Sequence, residues 1–212
     1  MAENHPRPRG RPSIPEQEIR EKIHDITLCL LLNQGYSTTT MDVIAQKAKI
    51  AKKTLYRFVK NREDLIEQVV LSWTDNTVLS LTKNANNHQQ VIISLGKYLA
   101  EIAEKSLSKD AVGLFKLLQS DFPHRDTFLE KYQQGGIEKN KIILANWLEQ
   151  QYKQGLLKEF NYETFSELAI SMVIAEPLRQ MVLGQTPPLP ETDISHRITA
   201  IINLLKSGLI EK

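Results

Sequence analysis

The chain is 212 residues long, 41% hydrophobic and 25% charged, which suits a globular protein with one generous domain or two small ones. No apolar run approaches the ~20 residues that span a bilayer. The basic N-terminus lacks an apolar signal core, and the single cysteine allows no intrachain disulfide, so a cytoplasmic protein without a membrane partner is expected. The net charge of +2 is uneven: residues 41–62 hold seven cations and one acid, Asp42, which points to a polyanionic partner near the N-terminus.

Residues 1–12, MAENHPRPRGRP, read as a disordered basic arm. Ser13 and Glu16 have capping-box spacing, with Pro15 tolerated in the first turn of the helix they open. Ile19, Ile23, Ile26 and Leu30 give that helix an apolar stripe, and Gly35 ends it. Cys29, set among leucines, is expected to be a buried, inert thiol. In STTT, Thr39 or Thr40 can cap a short second helix carrying Val43, Ile44 and Ala48. A turn at Lys49–Ile50 leads to a third helix from about Ala51 to Val59. Asn61, with Asp64 three residues on, caps a fourth that is predicted to reach about Asn84.

The rest also reads as helix. Ile92, Leu95, Leu99 and Ile102 form one stripe, and Ser108 can cap the next segment. A long helical stretch from Arg125 is expected to bend at Gly135–Gly136, and Pro177 to kink the helix after it. TPPLP is a rigid linker before a last helix. No period-2 strand pattern is present, so the fold class is all-α. Residues 13–60 form a helix-turn-helix head, and residues 61–212 a connecting helix and larger bundle.

The third helix starts against the usual rules. Ala51 stands where a capping oxygen belongs, and Lys52 and Lys53 face the positive end of the helix dipole. At about 100° per residue, Leu55, Phe58 and Val59 share the core face. Lys52, Lys53, Tyr56, Arg57 and Lys60 share the other, with Thr54 on its flank. Four cations around a tyrosine suit phosphates and guanine edges of a major groove. A missing cap costs only about 1 kcal/mol, and those groups gain partners when DNA arrives.

GYSTTTMDVIAQKAKIAKKTLYRFVKNREDL resembles the DNA-binding head of TetR/AcrR-type repressors. The matching positions are Gly35, Thr39–Thr40, Ile44–Ala45, Ala48, Thr54–Leu55–Tyr56, Glu63 and Leu65. Lys49 departs from a turn glycine and is expected in the left-handed region at a cost of about 1–2 kcal/mol. Ala51 departs from a serine, Lys53 from a glycine, Phe58 from a histidine, Val59 from a phenylalanine and Arg62 from a lysine. The resemblance implies that Thr40 caps helix 2 near a phosphate and that Lys52, Lys53, Thr54 and Tyr56 contact groove or phosphate. It makes Arg62 a phosphate clamp. Arg-Gly-Arg-Pro resembles an AT-hook core, with Arg9 and Arg11 expected in a flanking A·T minor groove.

The same resemblance implies a homodimer on a palindromic double-stranded operator, released by a small-molecule effector not yet identified. Leu168, Met172, Ile174 and Leu178 on one late helix, and Ile198, Ile201, Ile202 and Leu205 on the last, are the expected dimer surface, strengthened by Met181 and Leu209. Trp73, Tyr98, Phe115, Phe122, Trp147 and Met172 are candidate lining of an effector pocket. The segments FKLLQSDFPHRDTFLEKYQQGG and WLEQQYKQGLL look loosely AefR-like. No metal, cofactor or catalytic residue is expected. The five histidines are scattered, and no phosphate loop or nucleophile elbow is present. The alternatives are an enzyme, or an architectural DNA binder that uses head and arm without an effector.

Overall fold

Gly35, Thr40, Lys49 and Asn61 punctuate the first third of the chain, and each does so by its own chemistry. The computed structural model describes residues 15–74, 81 and 84–209. It is all-α: α1 (Glu16–Gln34), α2 (Met41–Ala48), α3 (Lys52–Leu55) and α4 (Arg62–Thr74), then α5 (His88–Ser106), α6 (Lys109–Gln119) and α7 (Arg125–Tyr132). A π-helical segment, Gln133–Glu138, joins α7 to α8 (Lys139–Lys153), followed by α9 (Tyr162–Val182) and α10 (Ser195–Leu209). The chain divides into two compact units between Ile66 and Glu67, inside α4, a few residues beyond the expected boundary at 60 and 61.

In the first unit, Ile23, Leu31, Ile44, Leu55 and Leu65 are fully buried. Gly35 takes φ 81°, a conformation that favours glycine, and its amide closes α1 on the Leu31 carbonyl. Thr40 caps α2 by accepting the Val43 amide at 3.3 Å. Lys49 lies in the left-handed region at φ 55°, as expected where the family pattern has glycine. Asn61 accepts the Asp64 amide at 2.8 Å, and the Asp64 carboxylate accepts the Lys60 amide at 2.7 Å.

Several expectations are corrected here. Ser13 lies outside the described residues, and α1 begins at Glu16 behind Pro15 with no side-chain cap bond. The α3 helix is only four residues long; Arg57 and Phe58 then bond three residues back to Thr54 and Leu55, so the expected helix tightens into turns. Cys29 is exposed rather than buried, with Asn33 Nδ2 donating to its carbonyl at 2.7 Å. The leucine run winds around α1, and position 29 lies roughly 120° from Ile23 on it. The α4 helix is described to Thr74, and its predicted extension toward Asn84 falls largely outside the described residues.

The second unit packs α5, α8, α9 and α10 around Leu95, Tyr98, Leu99, Leu144, Leu148 and Val173. Asn87, Ser108 and Asn161 cap α5, α6 and α9 through their side chains. The glycine pair at 135–136 yields a π-helical stretch that keeps the chain helical. Pro177 is buried within α9. Gln151 is fully buried, its Oε1 accepting the Ala85 amide at 3.0 Å and its Nε2 donating to the Trp147 carbonyl at 3.2 Å. Gln151→Ala leaves that buried amide unpaired and is expected to cost about 1–3 kcal/mol, read as a lower denaturant midpoint.

Candidate nucleic-acid interface

The α2–turn–α3 unit sets one side of residues 52–60 against the core and leaves the other in solvent. Leu55 and Val59 are buried. Phe58 is half-buried, with the Arg20 and Arg57 guanidiniums 5.5 and 5.8 Å from its ring centre. Lys52, Lys53, Tyr56, Arg57 and Lys60 are exposed, and Thr54 is half-buried beside them. Ala51 makes no side-chain cap bond. In so short a helix few peptide dipoles add up, so repulsion of the two lysines is smaller than a longer helix would impose.

Two of these cations are held by carboxylates of the same unit. Lys52 Nζ lies 2.8 Å from Asp42, in the first turn of α2, and this partner raises the lysine pKa. Arg57 lies 2.5 Å from Glu16, 41 residues away in sequence. Arg62, expected as a phosphate clamp, is half-buried over the Tyr36 ring at 4.0 Å and lies 3.6 Å from Glu63. Arg9 and Arg11 lie outside the described residues. Asp42 was visible in sequence as the only acid among seven cations; nothing local marked Glu16.

The second unit contains a cavity of about 230 Å³ whose wall includes Ile102, Leu114, Phe115, Ile170 and Ile174, with Lys105 and Lys141. Of the aromatic and methionine candidates, Phe115 is on that wall. The Tyr98 ring is buried in the core, and its hydroxyl donates to the Asn140 carbonyl at 2.7 Å. Burial raises its pKa, with Glu101 adding to the effect. Trp147 belongs to the same core, and Phe122 stacks on Phe128 at 6.0 Å. Met172 packs against the core, and its carbonyl accepts Arg197 Nε at 2.8 Å. The Trp73 side chain lies outside the described residues.

The expected dimer surface also separates by burial. Leu168 is 56% exposed, while Met172, Ile198, Ile202 and Leu205 are half-buried. Leu178 and Ile174 line the cavity. Ile201, Met181 and Leu209 are buried by their own chain and serve its core. Leu183 and Leu204, at 60% and 70% exposed, add apolar surface beyond the expected positions. Among the described residues, no group of three or more His, Cys, Asp or Glu could hold a metal ion, and no helix is long and apolar enough to cross a membrane.

A short helix presenting cations and a tyrosine after a tight interhelical turn defines a helix-turn-helix DNA-binding protein. Residues 23–69 match the family model described as bacterial regulatory proteins, tetR family. The match makes residues 23–69 a TetR-type helix-turn-helix DNA-binding segment. The chain is 22% identical over 182 residues to the HTH-type transcriptional regulator YvkB of Bacillus subtilis (strain 168), covering 85% of its own length and 93% of that protein. It is 31% identical over 85 residues, 39% of this chain and 45% of that protein, to IcaR of Staphylococcus aureus (strain Newman). IcaR is the negative transcriptional regulator of the biofilm operon icaADBC. The fold is also that of a TetR transcriptional regulator from Agrobacterium tumefaciens, with a TM-score of 0.71 and 16% identity over 91% of this chain and 95% of that one.

Proposed function

We propose that the protein is a cytoplasmic, dimeric repressor that binds a palindromic operator and leaves it when a small effector enters the second unit. The observation carrying the DNA contact is the exposure of Lys52, Lys53, Tyr56, Arg57 and Lys60 together, with Leu55 and Val59 buried behind them. Thr40 adds a hydroxyl at the start of α2, where a phosphate would also meet the exposed amides of that helix. A single head makes too few contacts for tight, specific binding, which favours two heads on paired half-sites. Exposed Leu168 and Leu183 on and beside α9, and Leu204 on α10, supply the pairing surface. The repressor output follows the role of IcaR as a negative regulator.

Release follows if the effector binds more tightly to a dimer state that cannot engage both half-sites. The π-helical segment forms part of the cavity wall, and α7 before it is tied to α4 by the Lys131–Glu67 ion pair. That pair gives a change at the cavity a short route to α4.

Selection of bound DNA from a random pool tests this reading. A short palindrome with half-sites about one helical turn apart supports it. Broad A·T-rich recovery without symmetry would instead make the protein an architectural DNA binder.

The ion pairs inside the head make a further point. Asp42 and Glu16 compete with phosphate for Lys52 and Arg57. Glu16→Gln is therefore expected to raise operator affinity a few-fold at low salt, an effect that fades as salt screens the competition. A fluorescence anisotropy titration at two salt concentrations checks it.

A further inference from the structure

We propose that the cavity of the second unit takes an uncharged molecule with an apolar body and an oxygen near each end. One is a hydroxyl that donates to the Asn140 side-chain carbonyl; the other accepts from the Tyr132 hydroxyl. This rests on the effector reading above and gives its chemistry.

The π-helical segment builds the wall that matters. In an unbroken α-helix, at about 100° per residue, Tyr132 and Lys141 would stand roughly 180° apart. The wider π-helical turn of Gln133–Glu138 rotates less per residue, and Tyr132, Gly136, Ile137, Asn140 and Lys141 all line the cavity. Tyr132 and Asn140 are eight residues apart, about 12 Å along the axis at the α-helical rise. Gly136, midway between them, has no side chain and leaves room for the body. Leu114, Phe115 and Ile174 on the same cavity's wall suit an apolar one.

The polar members of the wall differ in what they still offer. Lys141 lies 3.2 Å from Glu138 and 3.7 Å from Glu167, and Lys105 also interacts within the protein. An entering anion would compete with those interactions. No carboxylate stands among the described lining residues to receive a cation. Tyr132 is half-buried, and among the described residues nothing bonds its hydroxyl. Tyrosine hydroxyls that leave water usually find a partner, and a ligand oxygen supplies one. Asn140 Nδ2 donates to the Gly136 carbonyl at 2.7 Å, which leaves Oδ1 as an acceptor that no donor reaches among the described residues. An ether or an ionised acid carries no proton for that oxygen; a hydroxyl does. Ser106 and Ser171 are also on the wall, and their hydroxyls donate and accept alike, so they set no preference.

The size of the body follows from volume. A six-carbon ring fills a cavity of about 150 Å³. By proportion, about 230 Å³ holds roughly nine carbon atoms, close to a naphthalene.

Calorimetric titration of the full chain without DNA tests the assignment with 6-methoxy-2-naphthol, 2-naphthol, 2,6-dimethoxynaphthalene and 6-methoxy-2-naphthoate. The first has both end groups and should bind once per chain. 2-Naphthol lacks the second oxygen, the dimethoxy compound lacks the proton, and each should bind about tenfold more weakly. The acid should be weaker than the first probe as well. Tyr132→Phe should erase the preference over 2-naphthol alone, and Asn140→Leu the preference over the dimethoxy compound alone. A thermal melt of each variant separates lost binding from lost folding, and the ranking on the unaltered chain stands whether or not a variant folds. Absence of binding by the first probe, equal or tighter binding of any of the other three, or preferences that survive both substitutions in folded protein would each overturn the proposal. Binding with the expected ranking and residue dependence that leaves operator affinity unchanged upholds this assignment and defeats the effector reading alone.

Discussion

Replacing Lys52 by alanine and Tyr56 by phenylalanine together is expected to weaken operator binding by about a hundredfold or more while leaving the melting temperature nearly unchanged. Each side chain offered to a base edge or phosphate contributes about 1–3 kcal/mol of binding. Neither supports the core: Tyr56 is 48% exposed, Lys52 is exposed, and Leu55 between them carries the burial. The Lys52–Asp42 pair is a surface pair, so its loss costs the fold little. Binding should also become less sensitive to salt, the slope falling by about 0.9 for each phosphate contact removed. Gel shifts across salt concentrations, beside a thermal melt, read both effects. A large fall in melting temperature would mean that these residues serve the fold, and unchanged affinity would remove them from the interface.

The second large effect concerns pairing. Leu168→Glu with Leu204→Glu is expected to yield a folded monomer whose operator affinity is lower by about 10²- to 10⁴-fold. That range is what linking two binding modules adds through effective concentration. The two positions are 56% and 70% exposed in the single chain, so glutamate there meets water in the monomer. In a dimer whose surface includes them, the same carboxylates would be buried without partners, which is strongly unfavourable. Sedimentation velocity and a melt of the variant separate dissociation from unfolding. A variant that still sediments as a dimer would move the interface elsewhere.

These predictions draw on residues whose legibility differed in kind. The head could be read because its signals are local. Thr40 caps within three residues, Asn61 does the same, and Lys49 replaces a glycine at a turn that requires φ near 55°. The facing of residues 52–60 followed from helical spacing even though the helix proved shorter. Its end depends on whether Arg57 and Phe58 bond three or four residues back, a choice that side-chain pattern does not encode.

Long-range partners were the harder part. Glu16 meets Arg57 across 41 residues, and nothing near either one signals it. Arg62 has the charge for a phosphate clamp, but the Tyr36 ring beneath it appears only in the folded unit.

The cavity wall was hard to read for a different reason. Aromatic and methionine residues mark where volume is filled, as with Trp147 and Tyr98 in the core. A void opens where side chains are small, and Ala111, Gly136, Ser171 and Ala175 are on its wall. The apolar stripes of α9 and α10 likewise contain both core and surface residues. Ile201 is buried and Leu204 is exposed: position 204 lies roughly 120° from Ile198 and roughly 100° from Leu205 around the helix, off its core-facing side.

The most direct test of the account is photo-crosslinking from position 53 to the selected operator. A benzophenone side chain in place of Lys53 should label bases at two symmetric positions, one in each half-site. The same group in place of exposed Lys153, in the second unit, should label none. Labelling from position 153 but not from position 53 would contradict the assignment of this face to the groove.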